Sequence, residues 1–188
     1  MVERKIKSNK KNLAVLPTNQ LLQQVWDYIL TRSNKKGEFK KPIMECLYLL
    51  GWKVGLRISE ALNFDLTLEH GESQFKNLYL LRGKGQKERW VYVGEEIIRE
   101  FKKRDWKPNQ TNRFTFSKFL EKVKEEMNLP VNVELSPHTL RRCFATHQAI
   151  SGMPLPVLQK VLGHSKVSTT ALYIRDGDLS NLVKFRPV

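Results

Sequence analysis

The residues of this sequence that are best suited to chemistry are cations and one tyrosine. The run Ser136-Pro137-His138-Thr139-Leu140-Arg141 indicates the start of a helix, because serine favours the N-cap and proline the first helical turn. His138 and Arg141 are three residues apart, which places both side chains on one helix face near the positive end of its dipole. This pattern favours the binding of an anion.

A second histidine and a tyrosine follow closer to the C-terminus. Gly163 ends a short amphipathic pattern, so His164 is expected to be exposed just after a helix. Tyr173 comes nine residues later, inside Ser168-Thr169-Thr170-Ala171-Leu172-Tyr173. Each of these residues also has an ordinary explanation, since helix-end histidines are commonly surface residues and a tyrosine among apolar residues commonly packs in a core.

Carboxylates that could hold a catalytic metal do not form a spaced set. Asp176-Gly177-Asp178 comes nearest and is better explained as a turn. Gly83-Lys84-Gly85 is too short for a phosphate-cradling loop and interrupts a β-pattern instead of opening a helix. We therefore expect neither a metal nor a cofactor. If the protein cleaves phosphodiesters, cationic side chains must neutralise the phosphate.

Charge favours a polyanionic partner. The chain has 188 residues, of which 40% are hydrophobic, and its 33 Lys and Arg against 19 Asp and Glu leave a net charge of +14. Nucleic acid is the first candidate and an anionic membrane surface the second. No apolar run approaches the roughly 20 residues that span a bilayer, and Met1–Asn12 is basic without the apolar stretch of a signal peptide. Two cysteines make no disulfide framework, which favours a reducing interior.

Hydrophobic periodicity predicts one mainly helical α+β domain with a small antiparallel sheet. Residues 1–15 are expected to be a basic arm or linker and residues 16–188 the domain. Gln74–Val93 alternates in β fashion around Gly83-Lys84-Gly85-Gln86, which predicts a β-hairpin with a basic tip. Helices are predicted from Thr18 and at about Lys41–Lys53, Ser59–Asn63, Glu95–Arg104, Arg113–Met127, Pro137–Ser151, Pro156–Leu162 and Thr169–Ile174.

Five separated segments, in this order, resemble the tyrosine recombinase (phage integrase) family. The resemblance runs from about Leu16 to the C-terminus and covers its catalytic domain. The segments are Gly55-Leu56-Arg57-Ile58-Ser59-Glu60-Ala61-Leu62, Gly83-Lys84-Gly85 with Lys87-Glu88-Arg89, Ser136 to Arg141 with Phe144-Ala145-Thr146-His147, Leu162-Gly163-His164-Ser165, and Tyr173.

The resemblance implies a cofactor-free DNA strand breakage and rejoining reaction. Tyr173 would attack a DNA phosphate, leaving a 3′-phosphotyrosyl link and a free 5′-hydroxyl. Arg57 and Arg141 match the arginines that hold the non-bridging oxygens, a task that suits their planar donors. Arg57 could otherwise be a solvated helix-end residue.

The remaining site residues are assigned by the same match. His138 would assist proton transfer from the tyrosine, and His164 would donate a further hydrogen bond to the phosphate. Lys84 would protonate the leaving 5′-oxygen, although an ordinary turn lysine is the alternative. Glu60 matches an acid that positions the arginines, with a surface i,i+3 partner of Arg57 as the alternative.

Further cations are assigned to DNA contacts. Lys87 and Arg89 are expected either to contact backbone phosphates or to be simply solvated. Arg142 stands where the family frequently has a histidine. The spacing from His138 favours Arg141 as the catalytic arginine and leaves Arg142 to contact DNA.

Family members usually carry an N-terminal helical domain, and the residues before Thr18 are expected to be too few to build one. The chain is thus expected to be either an excised catalytic domain or a naturally short relative, acting in the cytoplasm on double-stranded DNA. The resemblance implies a homotetramer on paired sites, with a monomer possible without DNA. Two rivals stay open, a type IB topoisomerase and a non-catalytic DNA-binding protein that keeps the scaffold.

Overall fold

The computed structural model describes residues 15–33, 38–82 and 88–164. Within these ranges the chain forms seven α-helices and one hairpin. The elements are α1 (Asn19–Thr31), α2 (Lys41–Trp52), α3 (Ile58–Leu62), β1 (Leu78–Arg82), β2 (Glu88–Tyr92), α4 (Glu95–Lys103), α5 (Arg113–Glu126), α6 (Pro137–Ile150) and α7 (Leu155–Leu162).

Helix α2 is the centre of the core. Its residues from Ile43 to Trp52 are all buried, so it is covered on every side, as its nearly uniform apolar sequence predicts. It packs against α1, α3, α4, α5 and α6. The hydroxyl of Tyr48 donates to the Leu22 carbonyl of α1 at 2.8 Å, which satisfies the one polar group of this large buried side chain.

Two predicted helix starts have the expected caps. The Thr18 side chain accepts a hydrogen bond from the Leu21 amide at 3.2 Å, and α1 begins at the next residue. The Ser136 hydroxyl accepts from the Thr139 amide at 3.1 Å, and Pro137 is the first residue of α6. The cap fixes the first turn of α6, which carries His138.

The hairpin pairs β1 and β2 antiparallel, with Leu78 opposite Tyr92 and Arg82 opposite Glu88. Tyr79, Leu81 and Val91 face the core and are buried, in keeping with the alternation of the sequence. Two short 3₁₀ turns, Leu66–Leu68 and Ser73–Phe75, precede the hairpin and are not predicted by the sequence pattern.

The prediction of a mainly helical α+β domain with a small antiparallel sheet is confirmed for the described residues. The predicted helix Thr169–Ile174 and the hairpin tip lie outside them. Of the predicted arm, only Val15 is described; its amide donates to the Asn132 carbonyl at 2.7 Å. The boundary between arm and domain remains a prediction.

Packing between helices and the hairpin positions the site residues. Helix α6 packs on α2 and on α7, and α7 packs on β2. The short helix α3 packs on α2 and α5. The start of α3, the first turns of α6, the end of α7 and strand β2 thereby supply the side chains described next.

Candidate active site

Glu60 lies at the centre of a cluster of arginines. Its side chain is 4% exposed, and its carboxylate lies within 4 Å of guanidinium nitrogens from three arginines. These are Arg57 before α3, Arg89 in β2 and Arg141 in α6. Three cations around one carboxylate leave a local excess of positive charge, which favours the approach of an anion.

Arg57 is the exposed member of the cluster. It is the N-cap of α3, and its own backbone amide donates to Glu60 Oε2 at 2.8 Å. Its Nη1 donates to Glu60 Oε1 at 2.9 Å and its Nη2 to the Gly163 carbonyl at 3.3 Å. With 43% of its side chain exposed, Arg57 is both oriented by the protein and accessible to a ligand.

Arg141 is the buried member, with 4% of the residue exposed. Its Nη1 donates to the Gly55 carbonyl at 2.8 Å and lies 3.6 Å from Glu60 Oε2. Its Nη2 donates to the Leu162 carbonyl and lies 3.3 Å from His164 Nε2. The guanidinium therefore ties α6 to the start of α3 and to the end of α7.

His164 is held as a neutral imidazole beside these arginines. Arginine offers only donors, so Nε2 must accept from Arg141 and the ring proton must be on Nδ1. Burial, and after it the charges of Arg141, Arg57 and Arg89, together lower the pKa of His164 to about 4 against the opposing effect of the Glu60 carboxylate. At neutral pH the ring is a hydrogen-bonding group and not a further cation.

Gly163 sets the direction in which His164 leaves α7. It is the C-cap in the left-handed region, at φ 61° and ψ 43°, which glycine adopts without strain. The His164 amide donates to the Gln159 carbonyl at 3.1 Å, and the Gln159 side chain donates back to the His164 carbonyl at 3.1 Å. These bonds fix the backbone that carries the imidazole.

Arg89 is the residue whose position the sequence did not indicate. The sequence suggested an exposed cation, yet its side chain is only 13% exposed and its Nη2 donates to Glu60 Oε2 at 2.9 Å. Burial lowers the pKa of its guanidinium, which still keeps its proton. Two sequence signals were available: its place in the Lys87-Glu88-Arg89 segment, and its position two residues before Val91, which puts both side chains on one face of the strand. A contact between Arg89 and DNA remains a prediction.

His138 and Arg142 lie on α6, close to Arg141 in the sequence. His138 is exposed in the first helical turn, one turn before Arg141. Arg142 faces another direction, with its Nη1 3.5 Å from Glu134 Oε2. It is thus Arg141, and not its neighbour, that joins Glu60 and His164.

Three predicted site residues lie outside the described part of the chain. They are Lys84, Lys87 and Tyr173. The structure therefore brings together Arg57, Glu60, Arg141 and His164, and with them Arg89, which the sequence predicted only as a DNA contact. The roles of all five remain predictions.

The described residues contain no group of three or more His, Cys, Asp and Glu side chains placed to hold a metal ion. Nor is any described helix both apolar enough and long enough to traverse a bilayer.

Sequence comparison identifies the family of this chain. The family profile described as "Phage integrase family" matches residues 98–179. Tyrosine recombinase XerD of Pseudomonas putida is 33% identical over 154 residues, which cover 73% of this chain and 49% of that protein. XerD of Staphylococcus haemolyticus is 30% identical over 184 residues, covering 89% of this chain and 59% of that protein. The chain spans about half the length of these relatives.

Solved structures share the fold. The XerH site-specific recombinase bound to palindromic difH substrate, in a post-cleavage complex, matches with a TM-score of 0.72 at 19% identity, over 92% of this chain and 53% of that chain. The catalytic domain of bacteriophage HP1 integrase matches with a TM-score of 0.63 at 20% identity, over 94% and 96% of the two chains. The fold is that of a tyrosine recombinase catalytic domain. The chain belongs to the tyrosine recombinase (phage integrase) family.

Proposed function

We propose that this chain is the catalytic part of a site-specific DNA recombinase that cleaves and rejoins strands through a 3′-phosphotyrosyl intermediate. One observation carries the proposal: three separate parts of the chain converge, since Arg57 and Arg141 meet at the Glu60 carboxylate and His164 lies 3.3 Å from Arg141. Such convergence is expected of groups that act on one phosphate.

The arginines would hold the scissile phosphate. The Arg57 side chain is exposed enough to contact the phosphate. The Arg141 guanidinium is buried and is held in place by its hydrogen bonds to two backbone carbonyls. Positive charge aimed at the non-bridging oxygens stabilises the phosphorane more than the ground state, and one such contact contributes about 3 to 4 kcal/mol of barrier lowering. The neutral His164 would donate to a phosphate oxygen from Nδ1.

Proton transfers complete the step. The Tyr173 hydroxyl would give its proton to His138 as its oxygen attacks phosphorus, since a phenol with a pKa of about 10 is mostly un-ionised at neutral pH. The bond from phosphorus to the 5′-oxygen would break, and Lys84 would protonate that oxygen. One phosphodiester replaces another, so a 5′-hydroxyl can reverse the reaction without ATP.

Double-stranded DNA is the proposed partner, met in the cytoplasm. The net charge of +14 suits a polyanion, and affinity should fall steeply with salt. We further propose a homotetramer on paired sites. The XerH recombinase is bound to its difH substrate in its solved structure, which supports the same class of partner.

A covalent-capture experiment tests the proposal. The protein is mixed at low salt, with EDTA, with a pool of duplexes of randomised sequence that each carry one nick. The fragment with the new 5′-hydroxyl can then diffuse away. Wild type should form an SDS-resistant adduct, and the attached DNA, once sequenced, defines the preferred site.

Tyr173→Phe is the matched control, because it removes only the nucleophilic oxygen. No adduct should form with this variant, and an adduct that persists would refute the assignment of Tyr173. Exchange of strands between two recovered duplexes would separate recombination from simple relaxation of supercoils.

A further inference from the structure

We propose that Arg89 is a positioning residue of this site, which holds the Glu60 carboxylate in place and through it orients Arg57 and Arg141. The inference rests on the proposed function. It concerns a residue of the hairpin whose side chain is turned inward toward the cluster.

Arg89 and Arg57 share one oxygen of Glu60. Arg89 Nη2 donates to Oε2 at 2.9 Å, and the backbone amide of Arg57 donates to the same atom at 2.8 Å. Arg141 Nη1 is 3.6 Å from that oxygen. With Oε2 held on one side by Arg89, Oε1 remains directed at Arg57 Nη1.

Arg89 also lies against the turn that carries His164. A Cβ added to Gly163 would come within 2.6 Å of Arg89 Nε and 2.9 Å of its Cδ. The residue is therefore glycine for two independent reasons, the left-handed backbone at φ +61° and the close approach of this guanidinium. Arg89 thereby connects β2 to both α3 and the end of α7.

Burial separates this role from a simple DNA contact. The Arg89 side chain is 13% exposed, whereas that of Arg57 is 43% exposed. Arg89 Nη1 is buried without a hydrogen-bond partner among the described residues. Burying a cation whose donors are incompletely satisfied costs free energy, so stability alone gives little reason for this placement.

The charge of Arg89 acts on His164 in the same direction as those of Arg141 on α6 and Arg57 before α3, with Glu60 opposing them. All three arginines lower the imidazole pKa and so favour its neutral form. Loss of Arg89 would therefore disturb both the carboxylate that positions the arginines and the field at His164.

The first test compares Arg89→Met with Arg82→Met, using the duplex recovered by covalent capture. Arg82 is on the same hairpin, but it is 67% exposed and pairs with Glu88 at the surface. We expect Arg89→Met to lower the cleavage rate constant at saturating DNA by about 10- to 100-fold, as misplacement of reacting groups does, with DNA affinity changed less than about threefold.

Arg82→Met should cleave at nearly the wild-type rate, and Arg89→Lys, which keeps the charge, should recover part of the loss. If Arg89→Met instead weakens DNA binding while its saturated rate equals that of wild type, Arg89 is a phosphate contact and the inference is wrong. If wild type forms no adduct at all, the proposed function fails, and the role of Arg89 in it fails too.

The second test needs no DNA. Unfolding by urea is measured for Gly163→Ala, Arg89→Ala and the combined variant. Without the arginine side chain the added methyl group has no guanidinium to meet, so the combined loss of stability should be smaller than the sum of the single losses. Strict additivity would overturn the contact between Arg89 and Gly163. The same cycle with Arg82→Ala in place of Arg89→Ala should be additive.

Discussion

Arg57 and Glu60 close a ring at the start of α3. The amide of Arg57 donates to Glu60 Oε2 at 2.8 Å and its guanidinium donates to Oε1 at 2.9 Å. The carboxylate thus caps the helix and orients the cation with the same two oxygens. A helix of only five residues has little stability of its own, so this ring stabilises the element and the site together.

Removal of the Glu60 carboxylate should therefore affect both stability and cleavage. Glu60→Ala removes the carboxylate that Arg141 and Arg89 share. Removal of one partner of a buried ion pair typically lowers the free energy of unfolding by about 3 to 5 kcal/mol. We expect a loss of this order in urea unfolding, together with slower formation of the covalent adduct.

A surface pair provides the comparison for Glu60. Glu88 pairs with Arg82 at 3.1 Å, with both side chains more than half exposed. Glu88→Ala should change the free energy of unfolding by less than about 1 kcal/mol. Equal effects of the two substitutions would contradict the buried, shared role of Glu60.

Local spacing predicts the part of the site that lies within single elements. Arg57 and Glu60, like His138 and Arg141, are three residues apart, so a helix alone places each pair on one face. The end of α7 could be predicted in the same way, because Gly163 is a typical helix terminator.

The part that sequence could not supply depends on contacts between distant elements. Arg89 is 29 residues beyond Glu60; alternation within β2 places its side chain on the face of Val91 but does not say that it reaches α3. That orientation follows from the packing of β2 on α7, which no local pattern encodes. The two 3₁₀ turns were missed because segments of three residues carry too little periodicity to be recognised.

The pH dependence of stability should carry a contribution from His164. Its pKa is about 4 in the folded chain, against about 6.5 when unfolded, so the unfolded state binds more protons between these values. Acidification through this window should destabilise wild type more than His164→Gln. Urea unfolding between pH 4 and 7 measures how steeply the free energy of unfolding of each protein falls with acid. The difference between the two slopes should vanish above about pH 7. Parallel curves for the two proteins would contradict the lowered pKa.

Arg141 should not be replaceable by lysine. A lysine ammonium can hardly serve the Gly55 and Leu162 carbonyls and Glu60 at once, and each buried carbonyl left unpaired costs about 1 to 3 kcal/mol. Arg141→Lys should also slow cleavage about 100- to 1,000-fold, as loss of a transition-state donor does. Arg113→Lys, at an exposed position of α5, is the control for the exchange and should affect neither quantity. If Arg141→Lys cleaved DNA at the wild-type rate, the two guanidinium donors of Arg141 would not be needed to hold the phosphate.

Gly55 should tolerate no side chain. It has φ +72°, and a Cβ there would come within 2.2 Å of the Phe144 ring, so strain and overpacking combine. We expect Gly55→Ala to lower the free energy of unfolding by about 2 to 4 kcal/mol. Because the Gly55 carbonyl accepts from Arg141 at 2.8 Å, cleavage should slow as well. Gly71→Ala is the matched control, since an added Cβ there meets nothing within 4 Å. Equal stability of the two alanine variants would show that the backbone at Gly55 can move without cost, and that it does not hold Arg141.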